Sequence, residues 1–130
     1  MRILVDTQVW LWMTLMPDRL SSRARSLVEG HEHELCLSAA SAWEIAVKYS
    51  QRKLGLPDPP LKYVPTRLER LGMLSLPIDM AHALHVSTLP LHHRDPFDRL
   101  LVAQAQIEDL PILTSDPILA AYDVKIIAAT

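Results

Sequence analysis

The chain has 130 residues, of which 49% are hydrophobic, so one domain with a sizeable buried core is expected. Thirteen Lys and Arg against 15 Asp and Glu give a net charge of -2, which excludes a strong overall basic field. The one cysteine, Cys36, excludes an internal disulfide, and its apolar neighbours predict a buried thiol and fit a cytoplasmic protein. The apolar N-terminal stretch is interrupted by Asp6 and is too short for a membrane span, and it lacks the small-residue cleavage site of a signal peptide.

Short apolar segments, which predict strands, alternate with helical patterns along the whole chain. Strands are predicted at residues 2–5, 34–38, 73–77, 110–115 and 124–127. Helices are predicted at residues 8–16, 23–30, 39–53, 61–72, 80–89, 96–109 and 117–123. This alternation predicts an α/β fold with a parallel sheet of about four to five short strands, covered by helices on both faces.

The helix predicted at residues 39–53 matters for function because it carries Glu44. Ser38 is the predicted N-cap, which would fix where the helix begins. Ala39, Trp43, Ala46 and Val47 recur at helical spacing, so they are expected to form its apolar face.

Four carboxylates follow predicted strands or lie early in predicted helices. Asp6 follows "ILV", Asp116 follows "ILTS", Glu44 lies in the second turn of the helix after "LCLS", and Asp98 lies in the first turn of its helix. Because sites in parallel sheets form beyond the carboxyl ends of the strands, all four are expected at one edge of the sheet. Each also has a simpler interpretation: Asp6 and Asp116 as turn or cap residues, and Glu44 as a solvated residue paired with Lys48.

The stretch "RDPFD" offers two acids for one site. Asp95 has the position of an N-cap, which alone could explain the spacing to Asp98. However, Asp98 shares its helix face with the apolar residues Leu101, Val102 and Ala105. We therefore expect Asp95 to cap the helix and Asp98 to point into a site.

A cluster of carboxylates is costly to bury unless a cation neutralises it. Acid-only clusters suit hard ions such as Mg²⁺ or Mn²⁺, which can activate water and neutralise a phosphodiester. No Cys/His pattern indicates structural zinc. For His82, His85, His92 and His93, surface or capping roles are favoured over metal ligation.

The segments "LVDTQVWLW", "SAASAWEIAVK", "LPLHHRDPFDRLLVAQA" and "LPILTSDPIL", in this order, resemble the PIN-domain ribonucleases of the VapC toxin type. The resemblance covers nearly the whole chain and implies a single PIN domain, residues 1–130, with a PIN-like three-layer fold. It implies that Asp6, Glu44, Asp98 and Asp116 bind Mg²⁺ or Mn²⁺ and cut RNA. Thr7 and Thr114 match small hydroxyl positions beside that site, and Asp95 remains a second candidate for the third acid.

The resemblance also implies partners. Members of the family are usually homodimers that a VapB-type antitoxin holds inactive by binding in the groove, here expected beside Trp10 and Trp12, although core packing is the simpler interpretation for some of these apolar side chains. A basic side chain of the antitoxin placed among the carboxylates is the expected inhibitory device. Local cations are expected to hold the RNA backbone, although a solvated face would explain them too: Lys48, Arg52, Lys53, Arg94 and Arg99.

Three other protein classes can be compared with the same residues. An aspartyl-phosphate phosphatase needs a second Asp two residues after the first, where this chain has Gln8. A receiver domain needs adjacent acids after its first strand and an acceptor Asp after a middle strand, and "LCLSAAS" offers none. A non-catalytic interaction domain, whose acids only cap helices, would show no Mn²⁺-dependent stabilisation.

Overall fold

The computed structural model describes all 130 residues. Five parallel strands form one sheet in the order β3-β2-β1-β4-β5. The strands are β1 (Arg2–Val5), β2 (Glu34–Ser38), β3 (Leu74–Leu76), β4 (Ile112–Thr114) and β5 (Ile126–Ala128). The helices are α1 (Thr7–Leu15), α2 (Ser22–Glu29), α3 (Ala39–Ser50), α4 (Pro60–Leu71), α5 (Met80–His85) and α6 (Pro96–Glu108), with 3₁₀ turns at Pro17–Arg19, Val86–Thr88 and Pro117–Ala121. The predicted α/β fold with a parallel sheet is confirmed.

The order of the strands places a switch in direction next to β1. After β1 the chain builds β2 and β3 on one side of it, and then returns to build β4 and β5 on the other side. Ligand sites in open α/β sheets form at such a switch, outside the carboxyl ends of the strands. Asp6 directly follows β1 and Asp116 lies two residues after β4, so both acids lie at this point of the fold.

Alternate residues of β1 enter different halves of the core, as the period of a strand requires. Ile3 and Val5 join a cluster on one face of the sheet, whereas Leu4 joins a cluster on the other face with residues of α6. Both faces of the central strands are therefore covered by core side chains, which explains why these strands have almost continuous apolar sequences.

Trp10 belongs to the core, and its expected place beside a partner groove is wrong. The side chain is fully buried and packs edge-to-face on Tyr63, with ring centroids 6.0 Å apart. Trp12, two positions further along α1, is only partly buried. The reason is the helical period, which sends residues two apart to different faces of α1.

The expected apolar face of α3 is also wrong. Trp43 is 58% exposed, and the buried face consists of Ala40, Ser41, Glu44 and Ile45. Ile45 joins the core cluster that contains Trp10, and this anchors the helix with Glu44 turned inwards. A carboxylate thus takes the place that sequence hydrophobicity had assigned to an indole.

Some element ends differ from the predicted ones. Helix α3 ends at Ser50, and Arg52 adopts a left-handed backbone with φ of 59°. Residues 117–121 form a 3₁₀ turn instead of an α-helix. None of the helices has the length and apolar content that a membrane crossing would require.

Candidate metal centre

Asp6 lies at the junction of β1 and α1, where its backbone is extended and serves as the N-cap of α1. Its side chain is 6% exposed, and its Oδ2 accepts a hydrogen bond of 2.7 Å from Thr114 Oγ1 at the end of β4. Burial raises the pKa of the Asp6 carboxyl above its usual value, the Thr114 bond opposes that shift, and the charges of Glu44 and Asp116 add to it. Negative charge on these buried acids therefore lowers the stability of the folded chain.

Glu44 reaches the same place from α3. One turn before it, Ser41 accepts a hydrogen bond of 2.8 Å from Thr7 Oγ1, which fixes α3 against the start of α1. Glu44 is 5% exposed, its Oε2 accepts a 2.5 Å hydrogen bond from Lys48 Nζ, and its Oε1 is buried with no donor. The bond to Glu44 raises the pKa of Lys48. A buried carboxylate oxygen without a donor is costly unless something else binds it.

Asp95 and Asp98 make different contacts, and the N-cap predicted for Asp95 is confirmed. Asp95 is the N-cap of α6, since its Oδ1 accepts hydrogen bonds from the amides of Phe97 (2.8 Å) and Asp98 (3.3 Å). Asp98 projects from the first turn of α6. Burial and then the charges of Asp6 and Asp95 raise the pKa of the Asp98 carboxyl to about 7.

Asp116 is held by local bonds after β4. Its amide donates to Thr114 Oγ1 at 3.0 Å, and its Oδ1 accepts from the amide of Ile118 at 2.9 Å. Thr114 thus contacts both Asp6 and Asp116 across the switch point. Of the two hydroxyl groups predicted beside the site, that of Thr114 touches the acids directly, and that of Thr7 donates to Ser41.

His93 is the residue that sequence reasoning missed. Its Nε2 lies 3.0 Å from Asp98 Oδ2 and 3.0 Å from Asp116 Oδ2. The three side chains are close enough together to hold one ion. Its place five residues before Asp98 does not by itself put it beside Asp116, so the sequence favours a surface or capping role.

The acidic side chains of the site surround one cavity of 270 Å³ beyond the carboxyl ends of β1 and β4. Asp6, Glu44, Asp95, Asp98 and Asp116 all line it. A larger depression of 770 Å³ lies at the opposite end of the strands, around Arg2 and Lys125, and none of these five acids lines it. The four predicted ligands therefore converge from four separate elements on the smaller cavity.

The donor set fits a hard divalent cation. The four predicted ligands offer only carboxylate oxygens, and one oxygen of Glu44 is buried with no donor of its own. A bound cation would offset both the lost hydration of these buried carboxylates and their mutual repulsion. Thr114, Lys48 and His93 contact these acids from within the chain, and they leave carboxylate charge uncompensated.

The five cations predicted to hold RNA lie in different surroundings. Lys48 lines the cavity, and Arg52 and Lys53 line an adjoining depression that shares Leu54 with it. Arg94 is exposed on the loop before α6. Arg99 is engaged within the chain: its guanidinium donates to Tyr122 Oη and to the carbonyls of Val86, Leu89 and Pro90.

Comparison with known proteins gives a consistent result. Residues 3–125 match the model of the PIN domain family. The chain is 30% identical over 114 residues to ribonuclease VapC22 of Mycobacterium tuberculosis, an alignment that covers 88% of this chain and 86% of that protein. It is 44% identical over 64 residues to ribonuclease VapC16 of the same organism, covering 49% of this chain and 45% of the relative.

Solved structures share the fold at low sequence identity. VapBC2 from Rickettsia felis, bound to a promoter DNA fragment, aligns with a TM-score of 0.76 at 11% identity and 100% coverage of both chains. DNA-bound VapBC from Salmonella typhimurium aligns with a TM-score of 0.69 at 17% identity and 98% coverage of both. With the family match over almost its whole length, the chain belongs to the PIN domain family.

Proposed function

We propose that this chain is a divalent-metal-dependent ribonuclease that acts as the toxin of a toxin–antitoxin pair. One observation carries the proposal: carboxylates from four elements line a single cavity at the switch point of the sheet, and Glu44 Oε1 is buried there without a donor. The relatives named as VapC ribonucleases support the same activity.

Asp6, Glu44, Asp98 and Asp116 would hold the ion, which we propose to be Mg²⁺ or Mn²⁺ because both prefer oxygen ligands. Such an ion would supply an activated water and neutralise charge on the phosphodiester. Thr114 orients Asp6, and the Thr7–Ser41 bond orients the helix that carries Glu44. Asp95 remains the second candidate for the third acid, but both of its bonds to amides serve the start of α6.

The RNA backbone would be held by cations near the cavity. Lys48 is 47% exposed and lies beside Glu44, so its ammonium group can meet a phosphate once a metal ion takes over its carboxylate partner. Arg52 and Lys53 would extend this contact along the adjoining depression, and Arg94 would extend it from the loop before α6. Arg99 was predicted to join them, but its bonds within the chain make a structural role the better supported one.

The proposed partners are a second copy of the chain and a VapB-type antitoxin. The structural neighbours are toxin–antitoxin complexes, some of them bound to DNA, which supports an antitoxin as the regulator. A basic antitoxin side chain could bind among the four carboxylates as a cation does. We propose a cytoplasmic location, which the free buried thiol of Cys36 supports.

The test is cleavage of total RNA by the purified chain with Mn²⁺, with Mg²⁺ and with EDTA, alongside Asp6→Asn. We expect cleavage by the wild type that EDTA abolishes, and a loss of at least 100-fold, as an order-of-magnitude estimate, in the variant. Asp123→Asn, which changes an exposed acid away from the cavity, is the matched control and should cleave normally. No metal-dependent cleavage would favour a non-catalytic interaction domain instead, and equal cleavage by Asp6→Asn would remove Asp6 from the proposed metal site.

A further inference from the structure

His93 bridges two acids that come from different parts of the fold. Asp98 belongs to α6, whereas Asp116 follows β4, and His93 Nε2 is 3.0 Å from an oxygen of each. We infer that His93 is a positioning residue, which holds Asp98 and Asp116 at the spacing that the cation needs: its Nε2 forms a hydrogen bond with Asp116, and the same nitrogen lies against Asp98. This inference rests on the metal site of the proposed function and adds a residue to it.

The hydrogen bonds of the His93 ring place its proton on Nε2, the nitrogen that faces the acids. His93 Nδ1 accepts a hydrogen bond of 3.1 Å from the amide of Asp95, so Nδ1 carries no proton. In the neutral ring the proton is therefore on Nε2, which faces the two carboxylates. Ligation of a metal through Nε2 would require that proton to leave, whereas donation to the carboxylates needs no change.

The backbone around His93 is fixed by a second layer of contacts. The His93 amide donates to Tyr122 Oη at 2.8 Å, and Arg99 Nη1 donates to the same oxygen at 3.3 Å. Arg99 also holds the carbonyl of Pro90 at 3.0 Å. Because Tyr122 is buried and lies beyond β4, the position of His93 depends on the same two elements whose acids it joins.

The His93 side chain is 15% exposed, as is that of Asp98, so its Nε2 acts where water competes weakly. The ring bonds to Asp116 Oδ2, while Asp116 Oδ1 accepts from the amide of Ile118, and Asp98 Oδ2 lies 3.0 Å from the same ring nitrogen. Without His93, the two carboxylates would lose the polar group between them and their mutual repulsion would push them apart. Hydrogen-bond donors behind metal ligands typically change metal affinity about 10- to 100-fold when they are removed.

The first test is calorimetric titration of Mn²⁺ into the full chain. We expect His93→Ala to weaken Mn²⁺ binding roughly 10- to 100-fold, and His93→Gln, whose amide can still donate, to recover part of that loss. His31→Ala, at an exposed histidine before β2, is the matched control and should bind like the wild type. Unchanged or tighter binding by His93→Ala would overturn the inference.

A second measurement does not depend on metal. In EDTA, thermal midpoints of His93→Ala, Asp116→Asn and the double variant test whether the two residues act together. We expect His93→Ala to lower the midpoint at least twice as far in the wild type as in Asp116→Asn. Equal decreases would overturn the inference even if Mn²⁺ binds. If the wild type binds no Mn²⁺, the proposed metal site fails, and this cycle alone decides whether His93 holds the two acids.

Discussion

At the scale of single residues, polar side chains of this chain contact each acid of the site without balancing its charge. Thr114 donates to Asp6, Lys48 donates to Glu44, and His93 Nε2 bonds to Asp116 and lies 3.0 Å from Asp98 Oδ2. Despite His93, the pKa of Asp98 is raised to about 7. The metal-free site therefore disfavours full ionisation near neutral pH.

This predicts how the metal-free chain responds to pH. A carboxyl whose pKa is higher in the folded state stabilises the fold fully below its unfolded pKa near 4, and that contribution is lost as the pH rises through about 7. In EDTA, the free energy of unfolding should therefore fall between pH 5 and pH 8, by roughly 1–3 kcal/mol from Asp98. Asp98→Asn should remove much of this fall.

Denaturant unfolding at several pH values measures the effect, with Asp123→Asn as the control that should follow the wild type. Parallel curves for the wild type and Asp98→Asn would show that the Asp98 carboxyl is not the group responsible.

The acids of the site could be predicted from the sequence, whereas the donor that joins two of them could not. Asp6 and Asp116 are placed by strand ends, a rule that needs only local sequence. His93 depends on Tyr122, 29 residues later, and on Asp116, 23 residues later. Such contacts exist only once β4 lies beside β1, and no local pattern encodes them.

At the scale of elements, strand alternation was enough to predict the sheet, but the rotation of α3 about its axis was not. The N-cap Ser38 was predicted and is present, since its side chain accepts from the Ala40 amide at 2.9 Å. Hydrophobicity alone favoured burial of Trp43, yet Glu44 is buried and Trp43 is exposed. A helix that only covered the core would be expected to turn its carboxylate to water. The burial of Glu44 therefore could not be predicted from hydrophobicity.

The loop before α6 offers a matched pair of arginines. Arg99 holds the carbonyls of Val86, Leu89 and Pro90, whereas Arg94 is exposed. Arg99→Ala should destabilise the chain by roughly 1–3 kcal/mol because it leaves these acceptors without their donor. Arg94→Ala should leave stability unchanged, weaken RNA binding, and reduce the salt slope of binding by roughly 0.7.

Fluorescence anisotropy of a labelled single-stranded RNA at several salt concentrations tests the second half, in an Asp98→Asn background that does not cleave. An unchanged slope in Arg94→Ala would remove Arg94 from the proposed contacts. An unchanged melting temperature in Arg99→Ala would contradict its structural role.

At the scale of the whole molecule, large apolar side chains remain uncovered. Trp43 is 58% exposed beside Glu44 and contacts Phe97, whose ring centroid is 4.9 Å away, and Met80 and Leu84 on α5 are more exposed still. Apolar surface of this kind is typical of protein interfaces. It is consistent with the proposed second copy of the chain.

We therefore expect the isolated chain to be a homodimer at micromolar concentration, as measured by light scattering. Trp43→Ser should weaken the association, whereas Leu61→Ser, at an exposed residue at the start of α4, should have less effect if Trp43 lies in the interface. A strictly monomeric wild type would contradict the proposed dimer without affecting the metal site.

The most direct test of a cation site among these four acids is the thermal midpoint with and without Mn²⁺ at pH 7.5, for the wild type and Asp98→Asn. In EDTA the variant should be as stable as the wild type or more stable, because one repelling charge is gone. Mn²⁺ at about 100 times its dissociation constant should stabilise the wild type by roughly 2.7 kcal/mol. It should leave Asp98→Asn nearly unchanged. A wild type that ignores millimolar Mn²⁺, or a variant that responds to it equally, would contradict the site.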